Sequence, residues 1–136
     1  ISLQTDPYKK AKILYKIAVK FKNAGRKSSA RNYARKTLDF QPSFGRAYLL
    51  ISNLYASSAN DCGETQFNKR AVYWLAAQMA YKANEVDASI KKLALKTARS
   101  YEGRAPSKTE IFTEGNQGAT INFDCWIKSS VKVPDL

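Results

Sequence analysis

The spacing of large and small apolar residues between Leu14 and Pro42 constrains this chain more than any other feature. Leu14, Ile17 and Phe21 recur three and four residues apart, which puts them on one stripe of a helix. Ala18 lies beside that stripe, and Ala30 and Ala34 repeat the small size on a second helical segment. Alanine at these places lets two antiparallel helices approach closely. Gly25 breaks the chain between the segments, and Pro42 ends the second. The pattern predicts one helix from about Pro7 to Ala24, with Asp6 as its N-cap, and another from Lys27 or Ser28 to about Phe40. Such a hairpin cannot bury its own apolar face, so it must stack on a neighbour.

Counted with Ala11 as position 1, Leu14, Ile17, Ala18, Phe21, Ala30, Ala34 and Pro42 fall at positions 4, 7, 8, 11, 20, 24 and 32. This arrangement resembles the tetratricopeptide repeat (TPR), with Thr37 at position 27 as the one departure. The resemblance implies a stack of helical hairpins and a protein that binds other proteins. A second repeat opens at Gly45, where Tyr48, Ile51, Ser52 and Tyr55 fill positions 4, 7, 8 and 11. Its register then breaks. Ala76, Ala80 and Ala83 match the second-helix positions about twelve residues late, so an insertion falls at about 56–75. The insertion holds the turn cluster Asn60–Glu64. A long helix is predicted from Gln66 to about Val86, with Phe67, Ala71, Trp74, Leu75 and Met79 inward. A further helix from Ser89 to about Tyr101 turns Ile90, Leu93, Ala94, Ala98 and Tyr101 to the stack.

The helical period stops at Gly103. Ser107 and Glu110 form a capping-box pair that opens a short helix. From Ala119 to Ile127 the apolar residues alternate, which predicts a strand carrying Cys125. A second strand follows at Ser129–Val133, with Val131 and Val133 on one side. The expected fold is mainly α: a TPR-like superhelix of about two and a half hairpins over 1–102, closed by a β-hairpin cap in 103–136. Terminal repeats need such covers.

Several segments carry a narrower resemblance. They are Ala47–Ala59 followed by Cys62-Gly63, then Ala71–Ala76 with its Tyr73-Trp74 pair, Pro106–Lys108, and Cys125-Trp126-Ile127. In this order they resemble the C-terminal portion of TPR proteins typical of Bacteroidetes. Ala88 stands where that family usually has Pro, and the segment before Cys125 lacks the usual Gly. The resemblance implies a non-enzymatic, envelope-associated protein, periplasmic or attached to the outer membrane. A cytoplasmic location is the alternative. Ile1 is not an initiator Met and no signal peptide follows it, so the chain reads as a mature or excised fragment.

The net charge is +12, and its distribution matters more than its size. Residues 1–46 hold twelve Lys and Arg against Asp6 and Asp39, a balance of +10. Lys9, Lys12, Lys16 and Lys20 recur at helical spacing as a basic stripe. This is a solvated helix face or a docking surface for an acidic partner: a protein or peptide, a membrane-associated complex, or, less favoured, nucleic acid. The composition leaves the oligomeric state open.

Enzymatic parts are missing from the sequence. It has no His, no phosphate-binding glycine loop and no paired carboxylates in an apolar setting, so no catalytic residue, metal ligand or cofactor is expected. Cys62 and Cys125 are the two cysteines. They form one disulfide, worth roughly 4 kcal/mol for a loop of about sixty residues, or they are two buried thiols in a reducing compartment. Tyr48, Tyr55, Tyr73, Trp74, Tyr81 and Trp126 suit packing rather than a ligand box.

In repeats of this kind the first helices line the concave face, through positions 2, 5, 9, 12 and 13. The resemblance assigns these to Lys12, Tyr15, Val19, Lys22 and Asn23, then to Arg46, Leu49, Asn53, Ala56 and Ser57. This surface suits an extended acidic peptide, or it is filled by another part of the same protein. The carboxylate clamp of some TPR proteins, Lys and Asn at positions 5 and 9, is not reproduced: the pairs here are Tyr15/Val19 and Leu49/Asn53.

Overall fold

A computed structural model describes residues 6–136, and the readings for 1–5 lie outside the described residues. Helix α1 spans Pro7–Asn23. The Asp6 carboxylate accepts the Lys9 N–H at 3.2 Å, and Pro7 starts the helix where no N–H is needed. Gly25 turns the chain with φ 77°, a conformation that side chains disfavour, and α2 follows over Lys27–Phe40. Ala11, Ala18, Ala30 and Ala34 are fully buried between the paired helices. Thr37 is buried too, and its hydroxyl donates to the Tyr33 carbonyl at 2.9 Å, so a polar residue sits in a small-residue position at no hydrogen-bond cost.

Helix α3 spans Gly45–Ala56, and α5 spans Gln66–Val86. The predicted turn between them contains one helical turn of its own, α4, at Ala59–Cys62. A 3₁₀ turn at Ala88–Ile90 leads into α6, Lys91–Glu102. The helices pack in chain order as successive hairpins, α1 on α2, α2 on α3, α3 on α5 and α5 on α6. Ala76, Ala80 and Ala83 are buried where the delayed register puts them. The insertion therefore divides into the link around α4 and an extra N-terminal stretch of α5. That stretch buries Phe67, Ala71 and Val72 in one core with residues of the C-terminal segment. Ile90, Ala94 and Ala98 form a second core with Leu49, Ala80 and Ala83. Leu93 does not join it: it is 44% exposed on the outer side of α6, contrary to expectation.

Helix α7, Lys108–Glu114, opens with the full capping box of Ser107 and Glu110. Glu110 also pairs with Arg70, whose guanidinium donates to the carbonyls of Arg104 and Ala105 at 3.1 Å each. Strands β1 (Thr120–Phe123) and β2 (Ser129–Lys132) form an antiparallel hairpin with Ile121 opposite Val131. Ile121, Phe123, Ile127, Val131 and Val133 point into the main core. The predicted first strand stops four residues early. Asp124–Ile127 turn, and Lys128 takes φ 45°. Cys125 therefore lies in the turn rather than on the strand, and its disulfide to Cys62 pins that turn to α4 with the Cα atoms 5.3 Å apart.

Candidate functional site

Where α1 meets the start of α3, side chains from both helices form an aromatic and basic corner. Tyr15 leaves α1 half-buried, with its ring centroid 5.1 Å from that of Phe44, the residue that caps α3. Tyr8, about two turns earlier, reaches Phe44 at 6.3 Å. The Lys12 ammonium lies 5.5 Å over the Tyr8 ring. Burial pushes the Tyr15 phenol above its ordinary pKa, and the nearby Arg46 guanidinium works against that rise. Arg46 itself is exposed.

Tyr8, Phe44, Arg46, Asp87 and Ser89 line a cleft of about 400 Å³ here, across the N-terminal ends of α1 and α3 and the turn before α6. Asp87 is already engaged. It accepts from the Ser89 hydroxyl at 2.5 Å, the Ser89 N–H at 3.1 Å and the Gly45 N–H at 3.3 Å. These donors, the Ser89 hydroxyl first, hold its pKa below the ordinary carboxylate value. Among the described residues the one ion pair is Arg70 with Glu110, so Lys12 and Arg46 bridge to no carboxylate.

The structure thus brings Lys12, Tyr15 and Arg46 together. Lys22 and Asn23 are exposed at the far end of α1, about 15 Å along the axis from Lys12. Val19 lies between them, half-buried against the main core. The candidates on α3 fare differently. Leu49 is 6% exposed, because Ala80, Ala83, Ala94 and Ala98 close over it. Its assignment to an open face is corrected: α5 and α6 occupy it. Asn53 is half-buried and accepts the Tyr101 hydroxyl at 2.6 Å. Ala56 packs on the core, and the Ser57 hydroxyl donates to the Leu54 carbonyl at 2.8 Å. Lys9, Lys16 and Lys20 of the basic stripe are all exposed, on the side of α1 away from the buried Ala11 and Ala18.

Sequence reasoning missed Tyr8 and Phe44 as members of the corner. The available signal was Phe44 itself, a residue with no capping oxygen placed immediately before the helix-opening Gly45.

Away from the corner, Arg31 is 7% exposed and holds the C-terminal turn. It donates to the carbonyls of Ile127 at 2.6 Å and Trp126 at 3.1 Å, and to the Tyr55 hydroxyl at 3.1 Å. Its guanidinium lies 4.9 Å from the Trp126 ring and 5.8 Å from that of Tyr55. The Trp126 indole in turn donates to Ser58 Oγ at 2.9 Å, and Lys27 donates to the same oxygen at 3.0 Å. The Ser58 hydroxyl donates to the Leu54 carbonyl at 3.0 Å. The terminal nitrogens of Arg31 are thus paired while its Nε is buried without a partner, and the constellation offers no reacting group to a ligand.

Among the described residues no group of His, Cys, Asp and Glu is arranged to hold a metal ion, and no helix is long and apolar enough to cross a membrane. Comparison with protein-family models, curated proteins and solved structures gives no match.

Proposed function

We propose that this chain is a non-enzymatic protein-interaction module of the tetratricopeptide-repeat type, and that it docks an acidic peptide at the α1–α3 corner. The observation that carries the reading is the packing of Tyr8 and Tyr15 on Phe44, with Lys12 over Tyr8, Arg46 near Tyr15 and neither cation salt-bridged to a carboxylate. An extended acidic segment meets Lys12 and Arg46 with its carboxylates, Arg46 offering a two-pronged donor. One apolar side chain of the segment lies on the rings of Tyr15, Phe44 and Tyr8. Lys22 and Asn23 receive the segment's far end. In this reading residues 1–102 bind, residues 103–136 close the opposite side, and the chain is the C-terminal module of a longer Bacteroidetes-type protein. The Cys62–Cys125 disulfide favours an oxidising compartment, hence the periplasm or the outer membrane's inner surface.

The test is a fluorescence titration with a synthetic Asp/Glu-rich peptide that carries one Phe and enough Pro to stay extended. Lys12→Glu with Arg46→Glu should weaken binding by at least about tenfold, and Leu93→Asp on the remote side of α6 should not. Equal affinity for the parent and the double variant sinks the assignment. Micromolar binding to generic duplex with a steep salt slope, and none to the peptide, would make the chain a nucleic-acid-binding module instead.

A further inference from the structure

We infer that the outer edge of the first hairpin is a second docking surface, and that it takes an acidic amphipathic helix. At about 100° per residue, Ile13 and Ile17 lie on the flank of α1 opposite Tyr15 and Val19, so this edge is separate from the corner described above. Ile13, in the middle of α1, is 60% exposed, and Phe40 at the end of α2 is 41% exposed. Toward the α1–α2 turn the edge continues to Phe21 and Tyr33, their rings 5.4 Å apart and each half-buried against the main core. The C-terminal side of the molecule has its β-hairpin cover; no element among the described residues plays that part for this edge.

Three observations select the occupant. Ile13, Ile17 and Phe21 are four residues apart and make a ridge about 12 Å long, the shape that fits the groove of another helix. The backbone of both helices is internally hydrogen-bonded, so an added strand finds no free edge to pair with. Each aromatic ring of the edge carries a cation on its face: Arg26 lies 5.6 Å over Phe21, Lys36 4.5 Å over Tyr33 and Lys10 5.2 Å over Phe40. Lys9, Lys16 and Lys20 line the other side of the ridge. Pro7–Phe40 holds eleven Lys and Arg against Asp39 alone, and none of the eleven bridges to a carboxylate among the described residues. A helix with an apolar stripe and flanking Glu or Asp therefore covers the ridge and neutralises both margins. An anionic membrane is the poorer fit, because the most apolar face of α1, around Ala11 and Ala18, is already spent inside the hairpin.

The probe is a labelled synthetic peptide of about 18 residues with Leu at i, i+3, i+4 and i+7 and Glu elsewhere. It is titrated beside a scrambled peptide of the same composition, a version with Lys for Glu, phosphatidylglycerol vesicles and an oligothymidine strand. The Glu helix should bind at micromolar level. Ile13→Asp and, separately, Lys16→Glu with Lys20→Glu should each weaken it by about tenfold, with helical content by circular dichroism unchanged. Lys12→Glu with Arg46→Glu should leave it bound, which separates this surface from the corner. Equal binding of the scrambled peptide, or indifference to both edge variants, would overturn the inference. So would binding of vesicles or of oligothymidine in place of the Glu helix, or self-association abolished by Ile13→Asp.

Discussion

Arg31 enters the interior without a carboxylate. A guanidinium tolerates this better than an ammonium, because it is flat, weakly hydrated and able to donate in several directions at once. Here two donors are fixed on the carbonyls of Trp126 and Ile127 while the plane lies near two aromatic rings. Arg31→Met leaves both carbonyls and the Tyr55 hydroxyl short of a donor in a largely buried site. It should lower stability by about 2–4 kcal/mol, read from urea unfolding. Arg31→Lys should recover less than half of that, since one ammonium cannot reach both carbonyls and stack as well. A Lys variant as stable as the parent would show that charge alone suffices. Nothing in the spacing of the first repeat pointed to this role: Arg31 falls beside the small Ala30 and reads as one more exposed cation until the turn at residues 124–128 is in place.

At the level of elements, the legible parts were those set by local period. Both helices of the first hairpin, α5 from Gln66 to Val86 and the capping box at Ser107 follow from spacing and caps. The misreadings involve distant partners. Cys125 alternates with its neighbours like a strand residue, but its bond to Cys62 and the grip of Arg31 on the next two carbonyls bend the backbone there. Leu49 sits at an outward repeat position and is buried because α6 folds back over it, which the local pattern of α3 does not encode. In the candidate site Lys12, Tyr15 and Arg46 were legible from repeat position, whereas Tyr8 and Phe44 join only through the angle between α1 and α3. One element junction makes a sharp prediction. A methyl group on Gly63 would fall on the backbone of Lys69 and come within 2.6 Å of the Asn68 carbonyl carbon, atoms that the first turn of α5 holds in place. Gly63→Ala should cost about 2–3 kcal/mol, measured as a drop in the thermal midpoint. Parent-like stability would mean that α4 shifts freely against α5.

For the molecule as a whole, the disulfide closes a span of 63 residues and joins the insertion to the C-terminal turn. Reduction, or Cys62→Ser with Cys125→Ser, should remove about 4 kcal/mol in the chain-entropy picture. The loss should begin at the turn. With Trp74→Phe as background, Trp126 fluorescence should shift to the red before helical content falls. Simultaneous loss of both signals would place the disulfide's effect on the entire stack rather than on its closing segment. The bond between Arg31 and the Ile127 carbonyl spans still more of the chain, 96 residues. A plain array of hairpins can settle from its beginning as it is made, each pair resting on the one before. Here the α1–α2 hairpin holds a place for residues that a ribosome adds 96 positions later. Its guanidinium stays in water until they arrive, so a hairpin that forms early is finished late.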